Sequence, residues 1–269
     1  MTATISVLGD AHIDVVVRLS EPVAEETDTP AVTHFGVGGQ AANVAAWVAE
    51  LGGHARLITA RGTDAGALLV TEELERRGVR ILGPVVPGNT GVVVSLSERG
   101  HKRSMLTDRG VGTSLSAAVL SADWFADCDW LHLPGYSLAH EPILSAAMAA
   151  ARSARTASAK VSLDLSSTSL INAVGHAAFR RIVDALEPDV LFGNEAEAAL
   201  LAGPGQEWLI VKLGAEGVRA AGRHYPALPT TPVDSTGAGD AFAAGYLLGG
   251  VELGLAAAAR AVATMGAMP

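Results

Sequence analysis

Short apolar runs recur along the chain at 4–8, 56–59, 130–133, 161–165, 190–192 and Leu209–Lys212, each bounded by Gly, Asp, Asn or charged residues. Uninterrupted apolar stretches of this length predict strands covered on both faces. Between them the apolar positions return with helical spacing. Residues 43–51 are alanine-rich and stop at Gly52-Gly53, and residues 67–77 are amphipathic and stop at Gly78. Glycine just past the last periodic residue is a helix stop signal. Further helices are predicted at 143–152, 173–186 and 195–201, and a strand-like Pro232-Val233 leads into two alanine-rich helices that start at Asp240 and part at Gly249-Gly250. Strands alternating with helices predict a mostly parallel sheet with helices on both faces.

Two stretches interrupt that rhythm. Segments 13–19 and 32–35 flank an acidic, proline-containing link, and 91–97 with 103–106 bracket the polar tip Glu98-Arg99-Gly100-His101. The second pair reads as a β-hairpin. Together they predict a small β flap set into the main domain. No repeat, linker or shift in composition marks a second core, so residues 1–269 are expected to form one domain.

Composition narrows the function. Only 4% of residues are aromatic against 49% hydrophobic, so Ala, Val and Leu must fill the core. A net charge of −9 lacks the basic footprint that nucleic acid or an anionic membrane surface requires, which leaves a small soluble ligand as the expected partner. The single cysteine, Cys128, excludes an internal disulfide and any multi-cysteine metal site, and reads as a small buried hydrophobe. Residues 1–10 carry no secretory pattern and the apolar segments are cut before 18 residues, so a cytoplasmic protein is expected. The eight histidines include no H-E-x-x-H pair, and no G-x-S-x-G elbow occurs. The run Gly36-Val37-Gly38-Gly39-Gln40-Ala41 fits a loose dinucleotide fingerprint. It does not follow the first strand of a βαβ unit, and no strand-end acid stands about 20 positions on.

The strongest local signal is Asp234-Ser235-Thr236-Gly237-Ala238-Gly239-Asp240. Small residues at a helix start let successive backbone N–H groups face an anion, and the helix dipole favours negative charge there. Asp240 at that point suits a general base, and equally an ordinary helix cap.

Five motifs in order across residues 9–240 resemble the ribokinase-like (PfkB) family of carbohydrate and nucleoside kinases. They are Gly9-x-x-x-x-Asp14, Gly38-Gly39-Gln40-Ala41-Ala42-Asn43, Asn194-Glu195-Ala196-Glu197, Val211-Lys212-Leu213-Gly214-Ala215-Glu216-Gly217, and the Asp234–Asp240 turn. The resemblance implies a three-layer αβα sandwich with a mostly parallel central sheet and a small β lid at about 12–37 and 88–107. It implies an ATP-dependent phosphotransferase acting on a hydroxyl of a small sugar, with Mg²⁺ and in some members K⁺. Asp240 would be the base and Gly237, Ala238 and Gly239 the anion hole. Asp14, Gly38, Gly39, Asn43 and Arg109 would hold the acceptor. Asn194, Lys212, Gly214, Gly217 and Thr236 would serve the nucleotide, Glu197 would hold Mg²⁺ through water, and Asp234 a monovalent cation. The lid would also form a homodimer contact.

Taken singly, each residue has a plainer reading. Asn43 reads as a helix cap, Glu197 as a surface helix residue, Asp14 as part of a solvated strand face, and Gly214 with Gly217 as a turn between strands. A nucleoside (adenosine-like) kinase and a non-catalytic sugar- or nucleotide-binding member of the fold stand as alternatives. Three departures from the family pattern are present: the link 202–207 is short, the chain stops at Pro269, and Gln40 stands where ribose-specific members tend to have Lys. The first two place the expected economies on the adenine side. Arg99, Lys102, Arg103 and Arg109 gather around the hairpin and suit an anionic acceptor or a solvated rim, and His132, Pro134 and Gly135 end a strand on the acceptor face.

Overall fold

The computed structural model describes residues 2–97, 103–201 and 208–269. Its main sheet contains β1 (Thr4–Leu8), β4 (His54–Ile58), β5 (Arg80–Leu82), β8 (Trp130–Pro134), β9 (Lys160–Asp164), β10 (Val190–Asn194), β11 (Leu209–Lys212), β12 (Val218–Ala220) and β13 (Arg223–Tyr225). Their spatial order is β13-β12-β11-β10-β9-β8-β1-β4-β5. Every pairing from β5 to β11 is parallel, and β12 and β13 close the far edge antiparallel.

Alternation along the central strands divides their side chains between two cores. Ile5, Val7, Val190 and Phe192 enter one core with Trp47, Phe242 and Leu247, on the side of α1 (Gln40–Glu50), α2 (Ala65–Arg76), α7 (Ala238–Gly249) and α8 (Val251–Val262). Leu8, Leu131, Leu163 and Leu191 enter the other with Phe125 and Phe179, on the side of α3 (Ile143–Thr156), α4 (Thr168–Val174), α5 (His176–Leu186) and α6 (Glu195–Leu201). A sheet buried on both faces explains the near-continuous apolar runs in its strands. This is the ribokinase-like α/β architecture. With few aromatic residues the helices must come close. A Cβ on Gly245 would stand 2.6 Å from the Leu253 carbonyl oxygen, so glycine there permits the α7–α8 contact.

Three details differ from the sequence-based expectation. Residues 173–186 are not one helix: α4 and α5 meet at Gly175, whose φ of 90° belongs to neither. Pro232-Val233 is not a strand, and the Val233 amide instead bonds the Val262 carbonyl at the end of α8. The final helix pair begins at Ala238 rather than Asp240, with Gly237 in the left-handed region as its cap.

The two interrupting stretches form a four-stranded sheet in the order β3 (Ala31–Gly38), β2 (His12–Leu19), β6 (Thr90–Ser97), β7 (Arg103–Gly110). Its hairpin tip, with Arg99 and Lys102, lies outside the described residues. The β2–β6 pair is parallel and the others antiparallel. Only Gly9-Asp10-Ala11 separates β1 from β2, and β3 runs through Gly39 directly into α1. Those short connections hold this sheet over the carboxyl ends of the central strands. Asp10, Asp164, Asn194 and Lys212 also stand at those ends, where open parallel sheets bind ligands.

Candidate active site

The N-terminus of α7 is the centre of the site. In its first turn the Ala238 amide bonds the Ser235 carbonyl at 3.3 Å. No acceptor is recorded among the described residues for the Gly239 and Asp240 amides, which are left for an anion. Asp240 accepts a 2.8 Å hydrogen bond at Oδ2 from Asn43 Nδ2. Its side chain touches some solvent but is crowded by protein. Burial pushes its carboxyl up to about 7, Asp164 and Asp10 push in the same direction, and the Asn43 bond and the Lys212 ammonium oppose them. A carboxylate poised near neutrality can take a proton in one step and release it in the next.

Asn43 does not cap its helix. The cap of α1 is Gly39, and Asn43 lies in the second turn, buried and pointing across to α7. Gly39 has φ +107°, and a Cβ there would meet the Asp10 carbonyl oxygen at 2.5 Å, so the turn requires glycine. Gly38 lies under Asp14, whose Oδ2 is 2.1 Å from the position a Cβ would take.

Beside them, His12 sits between two carboxylates, with Nε2 3.0 Å from Asp14 Oδ1 and Nδ1 3.6 Å from Asp10 Oδ2. Burial disfavours its charge, but the two acids outweigh burial and raise the imidazole to about 9. Asp10 is buried, which raises a carboxyl, yet His12 and the Arg109 guanidinium hold it below its ordinary value. Arg109 pairs with Asp10 and stacks on Tyr136, its guanidinium carbon 4.2 Å from the ring centre. Asp10 Oδ1 and Asn43 Oδ1 are buried with no partner among the described residues. Buried acceptors without a donor are uncommon in folded proteins, so these two atoms stand out.

A cavity of about 580 Å³ adjoins the other side of the turn. Lys212, Gly214, Gly217, Ala238 and Gly239 line it near the turn, and Leu228, Leu255 and Val262 line its apolar part. Leu213 to Gly217 form the tight connection between β11 and β12, so the two glycines serve a turn between strands and the cavity wall together. Lys212 donates a 2.6 Å hydrogen bond to Asp164 Oδ2. Burial works against the lysine charge, but Asp164, Glu197 and Asp240 more than offset it and hold the ammonium above its ordinary value.

Asn194 and Glu197 grip each other at the start of α6. Glu197 accepts from the Asn194 amide at 2.9 Å and from Asn194 Nδ2 at 2.8 Å, and its own amide donates to Asn194 Oδ1 at 2.9 Å. Glu197 is therefore no surface residue: it is 4% exposed, and burial raises its carboxyl despite these bonds. Asp234 Oδ1 accepts from the Thr236 amide and hydroxyl, and its Oδ2 accepts from the Gly266 amide at 3.2 Å. Among the described residues no cluster of three or more His, Cys, Asp or Glu is placed to hold a metal ion alone.

The structure thus gathers Asp14, Gly38, Gly39, Asn43, Arg109 and Asp240 on one side of the α7 turn, and Lys212, Gly214, Gly217, Ala238 and Gly239 on the other. Asn194, Glu197, Thr236 and Asp234 stand outside the cavity lining. His132 does not open onto the acceptor space: it is fully buried in the sheet, bonded to Ser162, and burial lowers it to about 4. Cys128 is buried and bonded to the Trp130 carbonyl. Sequence reasoning missed His12 and Asp10, although His12 is two residues from Asp14 on the same strand face. It also missed Asp164, whose signal was its place at the end of a buried strand.

The chain is similar to known proteins over nearly its whole length. A fructokinase of Salmonella typhimurium is 30% identical over 92% of this chain and 84% of that protein. An ATP-dependent ribose-1-phosphate kinase of Halopiger xanaduensis is 30% identical over 90% of this chain and 84% of its own length. Among solved structures, adenosine kinase from Sinorhizobium meliloti superposes with a TM-score of 0.86 at 23% identity, over 100% of this chain and 96% of that one. The model of the pfkB family of carbohydrate kinases matches residues 2–268, so the chain belongs to that family.

Proposed function

We propose that the protein transfers the γ-phosphoryl group of ATP to a hydroxyl of a small sugar, with Asp240 as the general base. The observation that carries this reading is the placement of Asp240: its carboxyl raised to about 7, at a helix start whose Gly239 and Asp240 amides have no acceptor among the described residues, bonded to Asn43 and next in sequence to Gly239, which lines the apolar cleft. The acceptor occupies the space bounded by Asp10, Asp14, Asn43 and the Gly38-Gly39 turn, where its hydroxyls bond the orphaned oxygens of Asp10 and Asn43. The adenine occupies the apolar cleft and the triphosphate points to Gly239. As the acceptor oxygen attacks the γ-phosphorus, its proton passes to Asp240 and the bond to the bridging oxygen breaks. The Gly239 and Asp240 amides receive the charge that gathers on the phosphoryl oxygens, and fixed backbone dipoles do this without reorganising.

Magnesium fits this arrangement in a limited way. Glu197 would meet the ion only through water, because both its carboxylate oxygens already accept from Asn194 and it lies outside the cleft lining; such an ion keeps several waters and takes its other ligands from phosphates. Held there, the ion would supply neutralisation of phosphate charge. For potassium the fit is poorer, because Asp234 already serves Thr236 and Gly266. We assign Asp234 and Thr236 to holding the turn, and route no step through that ion.

We read the four-stranded sheet as a lid over the acceptor and as a contact between two copies of the chain. Support comes from its outer row: Phe35 lies opposite Val15, Val15 opposite Val94, and Val94 opposite Leu106, with Phe35 and Leu106 exposed. We also place the protein in the cytoplasm, where ATP is available and the single buried thiol is at ease. No helix among the described residues is long and apolar enough to cross a membrane.

The deciding experiment measures ADP release from ATP and Mg²⁺ across fructose, ribose, sugar phosphates, sugar acids and adenosine, with Asp240→Asn in parallel. Turnover with a sugar, lost in the variant, supports the reading. Turnover confined to adenosine replaces it with a nucleoside kinase. Silence from folded protein that binds sugar replaces it with a binding protein.

A further inference from the structure

The turn that presents the Gly239 and Asp240 amides has little means of fixing its own shape. Gly237, Ala238 and Gly239 carry no side chain larger than a methyl, and glycine adopts positive and negative φ with similar ease. An anion hole stabilises charge only when its donors are held to within about 0.5 Å of where they act. The order of this turn therefore comes from what packs against it. The segment that follows α8 does so at three places. The Asp234 amide donates to the Val262 carbonyl at 3.2 Å, and the Gly266 amide donates to Asp234 Oδ2 at 3.2 Å. Ala267 then lies directly on Gly237: a Cβ on that glycine would stand 2.5 Å from the Ala267 carbonyl oxygen and 2.6 Å from its Cα.

That carbonyl oxygen accepts a 3.0 Å hydrogen bond from Trp47 Nε1. Trp47 is 2% exposed, and Nε1 is its one polar side-chain atom. It stands four residues after Asn43 on α1, so the two project from one face of that helix. Asn43 bonds Asp240 directly, and Trp47 reaches Gly237 through Ala267. One helix thus holds the turn at two points three residues apart. A buried indole ordinarily finds some acceptor. What gives this one a role is that its acceptor is the atom closest to the Cβ position of Gly237. We propose that Trp47 is a positioning residue of the transfer reaction, whose N–H fixes the Ala267 carbonyl against Gly237 and so keeps the anion hole in register with the base. The proposal rests on the kinase reading above. Trp47 does not line the apolar cleft, so it acts through the turn and not on the nucleotide.

Trp47→Phe keeps an aromatic ring in the core and removes the N–H. With the acceptor found in the panel above, kcat is expected to fall about five- to tenfold, the effect of one buried hydrogen bond, while KM for ATP and for the acceptor stays within about twofold. Calorimetry of the whole protein with ADP and Mg²⁺, with and without aluminium fluoride, gives a second readout. Aluminium fluoride is a stand-in for the transferring phosphoryl group, so the extra affinity it brings reports the anion hole. That gain should shrink by the same factor in Trp47→Phe, with the affinity for ADP alone unchanged. Ala267→Gly removes the methyl against Gly237 and loosens the segment, and should act in the same way to a smaller extent. A Trp47→Phe protein with a lower melting temperature and unchanged kcat overturns the proposal and leaves Trp47 a core residue. Equal weakening of ADP with and without aluminium fluoride overturns it too. If Trp47→Phe does not fold, the same comparison in Ala267→Gly decides the matter alone. Wild-type protein that binds no ADP would sink the kinase reading itself, and this proposal with it.

Discussion

Replacing Asn43 with Leu tests the base directly, through a residue that touches it. Leu keeps the volume and admits no water in place of the amide, so the change removes the 2.8 Å hydrogen bond to Asp240 Oδ2 and little else at that oxygen. A hydrogen bond to a charged group contributes about 1.5–3 kcal/mol, and 1.36 kcal/mol corresponds to one pKa unit. Because Asp240 keeps some contact with solvent, the lower end applies, and its carboxyl should move up from about 7 by roughly one unit. The assay is kcat/KM against pH with the acceptor found in the panel above. In the native protein the profile should fall below about pH 7 as Asp240 takes up a proton. In Asn43→Leu that limb should lie about one unit higher. The plateau should fall as well, since the proposed reaction assigns Asn43 Oδ1 to the substrate, but plateau height and limb position are separate readouts. A limb that stays in place, or moves to lower pH, would refute the assignment of Asp240 as the titrating base.

Other substitutions probe the remaining parts. Asp240→Asn should lower turnover by about two to four orders of magnitude while raising the melting temperature, more so at pH 8 than at pH 4. The sign follows from linkage: with the carboxyl raised in the folded state, stability falls as pH rises between the unfolded value and about 7, and Asn removes that loss. Gly38→Ala pushes a methyl to 2.1 Å from Asp14 Oδ2, so the carboxylate must swing away. The acceptor KM should rise about tenfold, as expected for one lost charged hydrogen bond, with ATP affinity unchanged in calorimetry. Phe35→Asp with Leu106→Asp places charges in the exposed row of the small sheet, and the proposed contact predicts dimers of the native chain and monomers of the variant in sedimentation.

Much of the architecture was legible in the order of residues. The apolar runs at 4–8 and 161–165 are strands because a two-sided core leaves no polar positions within them, and Gly52-Gly53 and Gly249-Gly250 end helices as glycines do. Where the reading failed, the reason was local ambiguity settled by distant partners. Pro232-Val233 has the composition of a strand, but its backbone found the carbonyl at the end of α8 first. The break at Gly175 depends on how α4 and α5 each reach the sheet.

The sequence by itself determined the chemistry at the turn: small residues to expose amides and a carboxylate at the helix start. Spacing along the chain carries such information because a turn, a cap and a helix face are built from neighbours. What only the tertiary structure decided is which charges meet. Residues 12 and 14 are near neighbours, but Asp10 with Arg109, Asp164 with Lys212, and Asn43 with Asp240 are pairs brought together from opposite ends of strands and helices. The acidity of Asp240 depends on burial and on those partners together, and burial belongs to the folded chain rather than to any segment of it.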